Sequence, residues 1–255
     1  MNNDLPAHST FGEPTGPPVL VLHGWGGQRE SMCPAYEALA AAGFYVIVPD
    51  FAGHGQTPPP DTPWGMEDYA AELCGLLDAL GVKQCHIVGH SFGGRAAIVL
   101  AAKYPGRVGK MALTGAAGIK PKRGLKYYYR VYKYKTGKTL AKTRAGQWAC
   151  GLFGVDIAAK IKSAGSADYR ALDNPVMRAT FIRVVNQDLT GYLSSVRAPT
   201  LLLWGKTDDA TPLWMGRKME KLMADAALIE LNGGHFAYLE QAAQFNAIVK
   251  HFFIN

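Results

Sequence analysis

The sequence predicts an α/β protein: a mostly parallel central sheet flanked by helices, with a helical cap insertion. Three observations carry this. Short, almost wholly apolar runs recur along the chain and end at glycine or proline, as strands buried on both faces do. Longer stretches with apolar residues at helical spacing lie between them, the βαβ alternation of a parallel sheet. The alternation lapses between residues 119 and 190 and then resumes.

In chain order, residues 18–25, PVLVLHGW, read as the first buried strand. Residues 32–42 follow as a helix stopped by Gly43, and Tyr45–Pro49, YVIVP, as a second strand leading into the loop DFAGHG. Residues 67–80 are an amphipathic helix ended by Gly81, and His86–Gly89 a third strand that closes on GHSFGG. A helix over 94–103 stops near Pro105, and Val108–Leu113 is a fourth strand. After several helices without a clear strand, Thr200–Trp204 resumes the strand pattern. A helix over 213–223, a strand at 227–231 and a last helix from about Leu239 to Phe253 complete the chain. This organisation places one sheet domain in residues 1–118 and 191–255, interrupted by a helical insertion over 119–190.

With 255 residues, 48% hydrophobic and 18% charged, the chain can bury a large core without disulfides or metal. Cys33, Cys74, Cys85 and Cys150 form no CxxC pair and read as reduced, mostly buried thiols. The N-terminal stretch lacks the basic and apolar segments of a secretory signal, and no run of apolar residues is long enough to span a membrane. A reducing cytoplasm is the expected compartment. The net charge of +7 is uneven, because Lys120–Arg144 holds ten Lys or Arg and no Asp or Glu. Removing those ten leaves the remainder slightly negative.

Gly89-His90-Ser91-Phe92-Gly93 is a G-x-S-x-G motif set between a buried strand and a helix. A turn tight enough to project a serine hydroxyl from the sheet crowds the backbone, so small flanking residues are required. The helix that follows aims its first N–H groups at any developing oxyanion. A serine hydroxyl needs a base, and seven histidines compete. His90 adjoins Ser91, but consecutive residues around such a turn are expected to point apart. His86 reads as a core histidine of its strand, His23 and His54 as backbone-bonding residues of HG turns, and His8 and His251 as exposed ends. His235, in Gly233-Gly234-His235, directly follows the last strand at the carboxyl edge where active sites of parallel sheets gather.

The carboxylate that orients the base is expected between them in chain order. Asp208 and Asp209, in the loop after Thr200–Gly205, both qualify, with Asp209 also suited to the start of the next helix. The loop Thr114–Gly118 carries no acid. His23-Gly24-Trp25-Gly26-Gly27 ends the first strand in a glycine-rich loop that can approach a substrate closely. The N–H groups of Trp25 and Phe92 are the expected oxyanion donors.

Together, His23-Gly24-Trp25-Gly26-Gly27, Asp50-Phe51-Ala52-Gly53-His54-Gly55, Gly89-His90-Ser91-Phe92-Gly93-Gly94, Gly205-Lys206-Thr207-Asp208 and Gly233-Gly234-His235 resemble the α/β-hydrolases of the cap-bearing kind. They stand in family order, and the likeness covers residues 18–118 and 196–255. The resemblance implies an α/β-hydrolase fold and makes residues 119–190 a cap over the active site. It also favours Asp208, three residues after Gly205 and four before Pro212, as the acid. Only 17 residues precede the first buried strand, so the family's leading antiparallel hairpin is expected to be reduced. Serine at the elbow argues against dehalogenase and epoxide hydrolase relatives, which use aspartate there.

The implied chemistry is acyl transfer on a small-molecule substrate, with Ser91 as nucleophile, His235 as base and Asp208 as orienting acid, and with no metal or other cofactor. A carboxylic ester is the first expectation for the substrate. The alternatives are a carbon–carbon bond hydrolase of ring-cleavage products and a low-turnover small-molecule receptor on the same fold. Against the carbon–carbon reading, Phe236 follows the histidine where those enzymes usually carry tryptophan. Gly137-Lys138-Thr139 lacks the upstream glycine of a phosphate loop, and neither G-x-G-x-x-G after a strand nor HExxH occurs. The basic, tyrosine-rich stretch 120–134 reads first as a solvated cationic face of the cap. Steering of anionic substrates is the next reading, membrane-surface contact another, and nucleic-acid binding is not expected. Oligomeric state is not legible.

Overall fold

The computed structural model describes residues 5–120, 129 and 172–255. Its strands are β1 (His8–Phe11), β2 (Pro18–Leu22), β3 (Tyr45–Pro49), β4 (Cys85–His90), β5 (Val108–Thr114), β6 (Thr200–Gly205) and β7 (Ala226–Leu231). Its helices are α1 (Cys33–Ala41), α2 (Met66–Ala79), α3 (Phe92–Lys103), α4 (Pro175–Asn186), α5 (Thr190–Leu193), α6 (Leu213–Leu222), α7 (Ala237–Glu240) and α8 (Ala242–Ile254). The sheet order is β1-β3-β2-β4-β5-β6-β7. Strands β2 to β7 are parallel, and β1 alone runs antiparallel, pairing His8 with Pro49 and Phe11 with Val46.

Both faces of this sheet are covered, which is why its strands are apolar throughout rather than alternating. In β2, Leu20 and Leu22 enter the core shared with α2 and α3, while Val19 and Val21 enter the core shared with α1 and α8. One strand thus fills two cores because successive side chains leave opposite faces. Parallel strands also put every carboxyl end on one edge, and the loops after β2, β4, β5, β6 and β7 all leave there.

Four features differ from the sequence reading. His8 lies in β1 and is half-buried rather than exposed. The final helix is two helices, parted at Gln241; the first is a single turn, over which Glu240 reaches back to the Gly234 N–H at 2.8 Å. Helix α6 carries no acid in its first turn, so Asp209 is an exposed loop residue rather than a helix-terminal one. Cys33 and Cys74 are half-buried, and only Cys85 of the described cysteines, all free, is fully so.

The chain divides into two compact units, Met1–Ile119 with Pro175–Asn255, and Lys120–Asn174. Helices α4 and α5 therefore belong to the sheet unit. Nearly all of the second unit, including the basic tyrosine-rich stretch and Cys150, lies outside the described residues. Among the described residues no helix is long and apolar enough to cross a membrane.

Candidate active site

Ser91 occupies the turn between β4 and α3 with φ 50° and ψ −104°, and it is the one non-glycine described residue at positive φ. Such a conformation costs about 1–3 kcal/mol and persists only where its surroundings enforce it. They do so here. Ser91 N–H donates to Thr114 O at 3.1 Å, and its carbonyl accepts from Ala117 N at 3.1 Å and Arg95 N at 3.3 Å. The flanking positions leave no space for a side chain: a Cβ on Gly93 would overlap the Leu22 carbonyl, and one on Gly89 would lie 3.0 Å from the Gly93 backbone.

Asp208 and His235, the expected acid and base, meet across the loops after β6 and β7. His235 Nδ1 lies 2.9 Å from Asp208 Oδ2, and the Asp208 side chain is fully buried. Burial alone would raise the Asp208 pKa, but hydrogen bonds from His235 and from the Thr211 N–H and hydroxyl outweigh it and lower the value. An ionised Asp208 can only accept, so His235 carries its proton on Nδ1 and leaves Nε2 as a base. The second oxygen, Oδ1, accepts from Ala210 N at 2.9 Å and Thr211 N at 2.8 Å. The buried Trp204 indole holds the Thr211 carbonyl at 2.6 Å, fixing the turn that presents these donors.

Two glycines bring the acid and base loops together. A Cβ on Gly205 would overlap the carbonyl oxygens of Gly234 and Gly233, and that contact lets Thr207 N donate to Gly233 O at 3.1 Å. Gly115, after β5, has its Cβ direction 3.1 Å from both Asp208 Oδ2 and His235 Nδ1. An acid there would reach the same imidazole, so the empty alternative position is sterically given over to Asp208.

The rings of Trp25 and Phe92 are in edge contact, centroids 5.2 Å apart. Neither of their backbone N–H groups has an acceptor among the described residues. His54, Phe181 of α4, Phe51 and Tyr69 pack around the pair. Helix α4 is held by buried Arg95, whose guanidinium donates to Val184 O at 2.9 Å and Gln187 O at 3.0 Å at that helix's C-terminal end.

The remaining histidines are occupied elsewhere. His23 donates from Nδ1 to Gly24 O at 2.7 Å and accepts on Nε2 from Phe51 N at 3.2 Å, and His54 donates to Ala52 O at 3.1 Å. His86 accepts from Lys110 N and stacks on Phe253. His90 departs from expectation. Its ring turns towards the base, with centroids 4.8 Å from His235, and its Nε2 donates to the His235 carbonyl at 3.0 Å. No motif announces that contact, nor the Thr211 hydroxyl 2.8 Å from Asp208 Oδ2. Among the described residues no hydrogen bond joins Ser91 Oγ to His235.

A parallel sheet covered on both faces, with a strained serine turn and a buried Asp–His pair at its carboxyl edge, defines the α/β-hydrolase fold class. The family model for the alpha/beta hydrolase fold matches residues 17–242, and the chain belongs to that family. It is 30% identical to a 2-hydroxy-6-oxo-6-phenylhexa-2,4-dienoate hydrolase of Burkholderia cepacia, across 94% of this chain and 88% of the relative. It is 31% identical to a 2-hydroxy-6-oxononadienedioate/2-hydroxy-6-oxononatrienedioate hydrolase of Dechloromonas aromatica (strain RCB), across 92% and 86%. Among solved structures, the enol-lactonase of Burkholderia xenovorans LB400 superposes with a TM-score of 0.74 at 22% identity, covering 98% of this chain and 96% of that one. A meta-cleavage product hydrolase of Pseudomonas fluorescens IP01 superposes with 0.70 at 24%, covering 96% and 93%.

Proposed function

We propose that this chain hydrolyses a carbon–carbon bond beside a ketone in a 2-hydroxy-6-oxo-dienoate, with Ser91, His235 and Asp208 as nucleophile, base and orienting acid. The observation that carries the reading is the full-length likeness, near 30% identity, to hydrolases named for such dienoates. The ester expectation drawn from the motifs gives way to it because both reactions begin alike, at a carbonyl, and the site geometry serves either.

In this mechanism His235 Nε2 takes the Ser91 proton and Oγ attacks the C6 ketone, this contact forming as substrate is engaged. The Trp25 and Phe92 N–H groups stabilise the oxyanion. Before that attack the dienol tautomerises, its C2 hydroxyl losing a proton as C5 gains one, which makes C2 a ketone conjugated with C3=C4. As the oxyanion collapses, the C5–C6 bond breaks and its electron pair passes through C3=C4 to the C2 oxygen, which takes up a proton. Water activated by His235 then releases the acyl group from Ser91 as a carboxylic acid. The net change adds OH to C6 and H to C5. The free Cys33, Cys74 and Cys85 suit a reducing cytoplasm.

Purified protein is to be incubated with 2-hydroxy-6-oxo-6-phenylhexa-2,4-dienoate and, separately, with 4-nitrophenyl esters. The expected outcome is loss of dienoate absorbance with release of benzoate, and a fall in kcat of roughly 10³ or more in Ser91→Ala. Esters turned over while the dienoate stays intact would instead establish the second reading, carboxylic ester hydrolysis. Phe236 favours that one, because it stands where carbon–carbon hydrolases usually carry tryptophan. Turnover of neither, with saturable binding, would leave the receptor reading.

A further inference from the structure

We infer that His90 is a positioning residue that joins the three loops of the site, those carrying the nucleophile, the oxyanion donor and the base. This rests on the triad reading above but concerns a residue that takes no part in proton or acyl transfer. Its place follows from three contacts. By sequence it precedes Ser91, so its backbone is the first arm of the strained turn. Its Nε2 is 3.0 Å from the His235 carbonyl, and only the nitrogen can donate, which fixes the tautomer as Nε2–H. Its ring then lies across Gly24, where a Cβ would approach Nδ1 to 2.9 Å and Cε1 to 3.3 Å. Gly24 immediately precedes the donor Trp25, so one imidazole spaces the oxyanion loop from the base loop.

Neighbouring rings hold it in that place. His235, Phe236 and Tyr238 surround it with centroids 4.8, 5.3 and 4.7 Å away, and its exposure is 3%. Tyr238 is in turn tied through its hydroxyl to Ser31 O at 3.0 Å, so the packing reaches the loop ahead of α1. Burial and the neighbouring His235 depress the His90 pKa to about 3, which keeps the ring a neutral donor. A charged ring beside His235 would oppose formation of the second imidazolium that catalysis needs. A plain core histidine would have no reason to spend its one donor on the carbonyl of the base itself.

The test compares wild type with His90→Gln, His90→Phe and His90→Ala. Glutamine places an N–H at the reach of Nε2, phenylalanine keeps the ring without the donor, and alanine removes both. The first readout is the rate of Ser91 labelling by a fluorophosphonate. It is expected to stay within about fivefold of wild type for Gln and to fall by roughly 10² for Phe and Ala, the order expected when a reacting group is displaced by about 1 Å. The second is solvent exchange of the His235 Nδ1 proton by NMR, expected to be slow in wild type and Gln and faster in Phe. The third is a cycle with Gly24→Ala, which should slow labelling in wild type and add nothing in His90→Ala. Phe labelling and exchanging as wild type does, with an additive Gly24 cycle, would overturn the inference. A wild type that fails to label would sink the triad reading alone, since the exchange measurement still decides the role of His90.

Discussion

Asp208 is set apart from its neighbour by the hydrogen bonds it accepts rather than by where it stands in a motif. Its neighbour Asp209 has the same chemistry one position on, yet is exposed, while Asp208 receives His235, two backbone N–H groups and the Thr211 hydroxyl. Asp208→Asn should therefore lower kcat by roughly 10²–10⁴, since an amide cannot hold the tautomer and stabilise an imidazolium. Asp209→Asn should stay within a few-fold of wild type, and the reverse order would move the role to Asp209. Thr211→Val keeps the backbone donors and volume but deletes one hydroxyl, which also lies 3.0 Å from Gly115 O. A hydrogen bond to a charged group contributes about 1.5–3 kcal/mol, so a fall in kcat of roughly tenfold or somewhat more is expected. A kcat equal to wild type would show that the two backbone donors suffice. The candidates Ser91, Asp208 and His235 stand out in the sequence because a strand-loop setting singles each out. The contacts of His90 and Thr211 do not, because they join loops far apart in sequence.

At the scale of elements, the strands were legible almost to the residue. A strand buried on both faces of a parallel sheet is a continuous apolar run, and glycine or proline closes it. β1 was missed for the complementary reason: HSTF is short, polar and paired along one edge only, so no hydrophobic signal marks it. Helix α4 illustrates a different limit. Its periodicity is plain, but its membership in the sheet unit depends on Arg95 capping its end and Phe181 meeting Trp25. The contact between the β6 and β7 loops is the most demanding at this scale, because nothing larger than hydrogen fits at Gly205. Gly205→Ala should force the loops apart at a cost of about 1–3 kcal/mol, as overpacking does. It should also separate Asp208 from His235, so labelling of Ser91 should slow far more than the loss of stability explains. Labelling at the wild-type rate in a folded Gly205→Ala protein would show that the loops tolerate the shift.

For the whole molecule, the sharpest expectation is an opposition between buried groups as pH falls. His54 and His90 are buried, and burial lowers their pKa from 6.5 to about 4 and about 3. The unfolded chain binds their protons first, so both stabilise the fold above pH 6.5 and lose that contribution as pH drops through the window below it. Between pH 7 and pH 5 the two together remove about 4 kcal/mol of stability by linkage. His23, lowered by the same burial, acts in the same direction. Glu72 works the other way. It takes a long 3.4 Å hydrogen bond from Ala52 N, and burial raises its pKa from 4.5 to about 8. The folded state therefore binds its proton first, and stability is gained as pH falls from 8 towards 4.5, by about 2–3 kcal/mol over the same interval. The histidines win, and wild type should lose about 1–2 kcal/mol between pH 7 and pH 5. Glu72→Gln keeps an acceptor for Ala52 N but removes the titration, so its loss should steepen to about 4 kcal/mol. His54→Gln should instead flatten the dependence to near zero. Urea unfolding of the three proteins at the two pH values reads all of this directly. A Glu72→Gln profile parallel to that of wild type would mean that the carboxyl does not titrate between pH 5 and 7, and would remove the opposition.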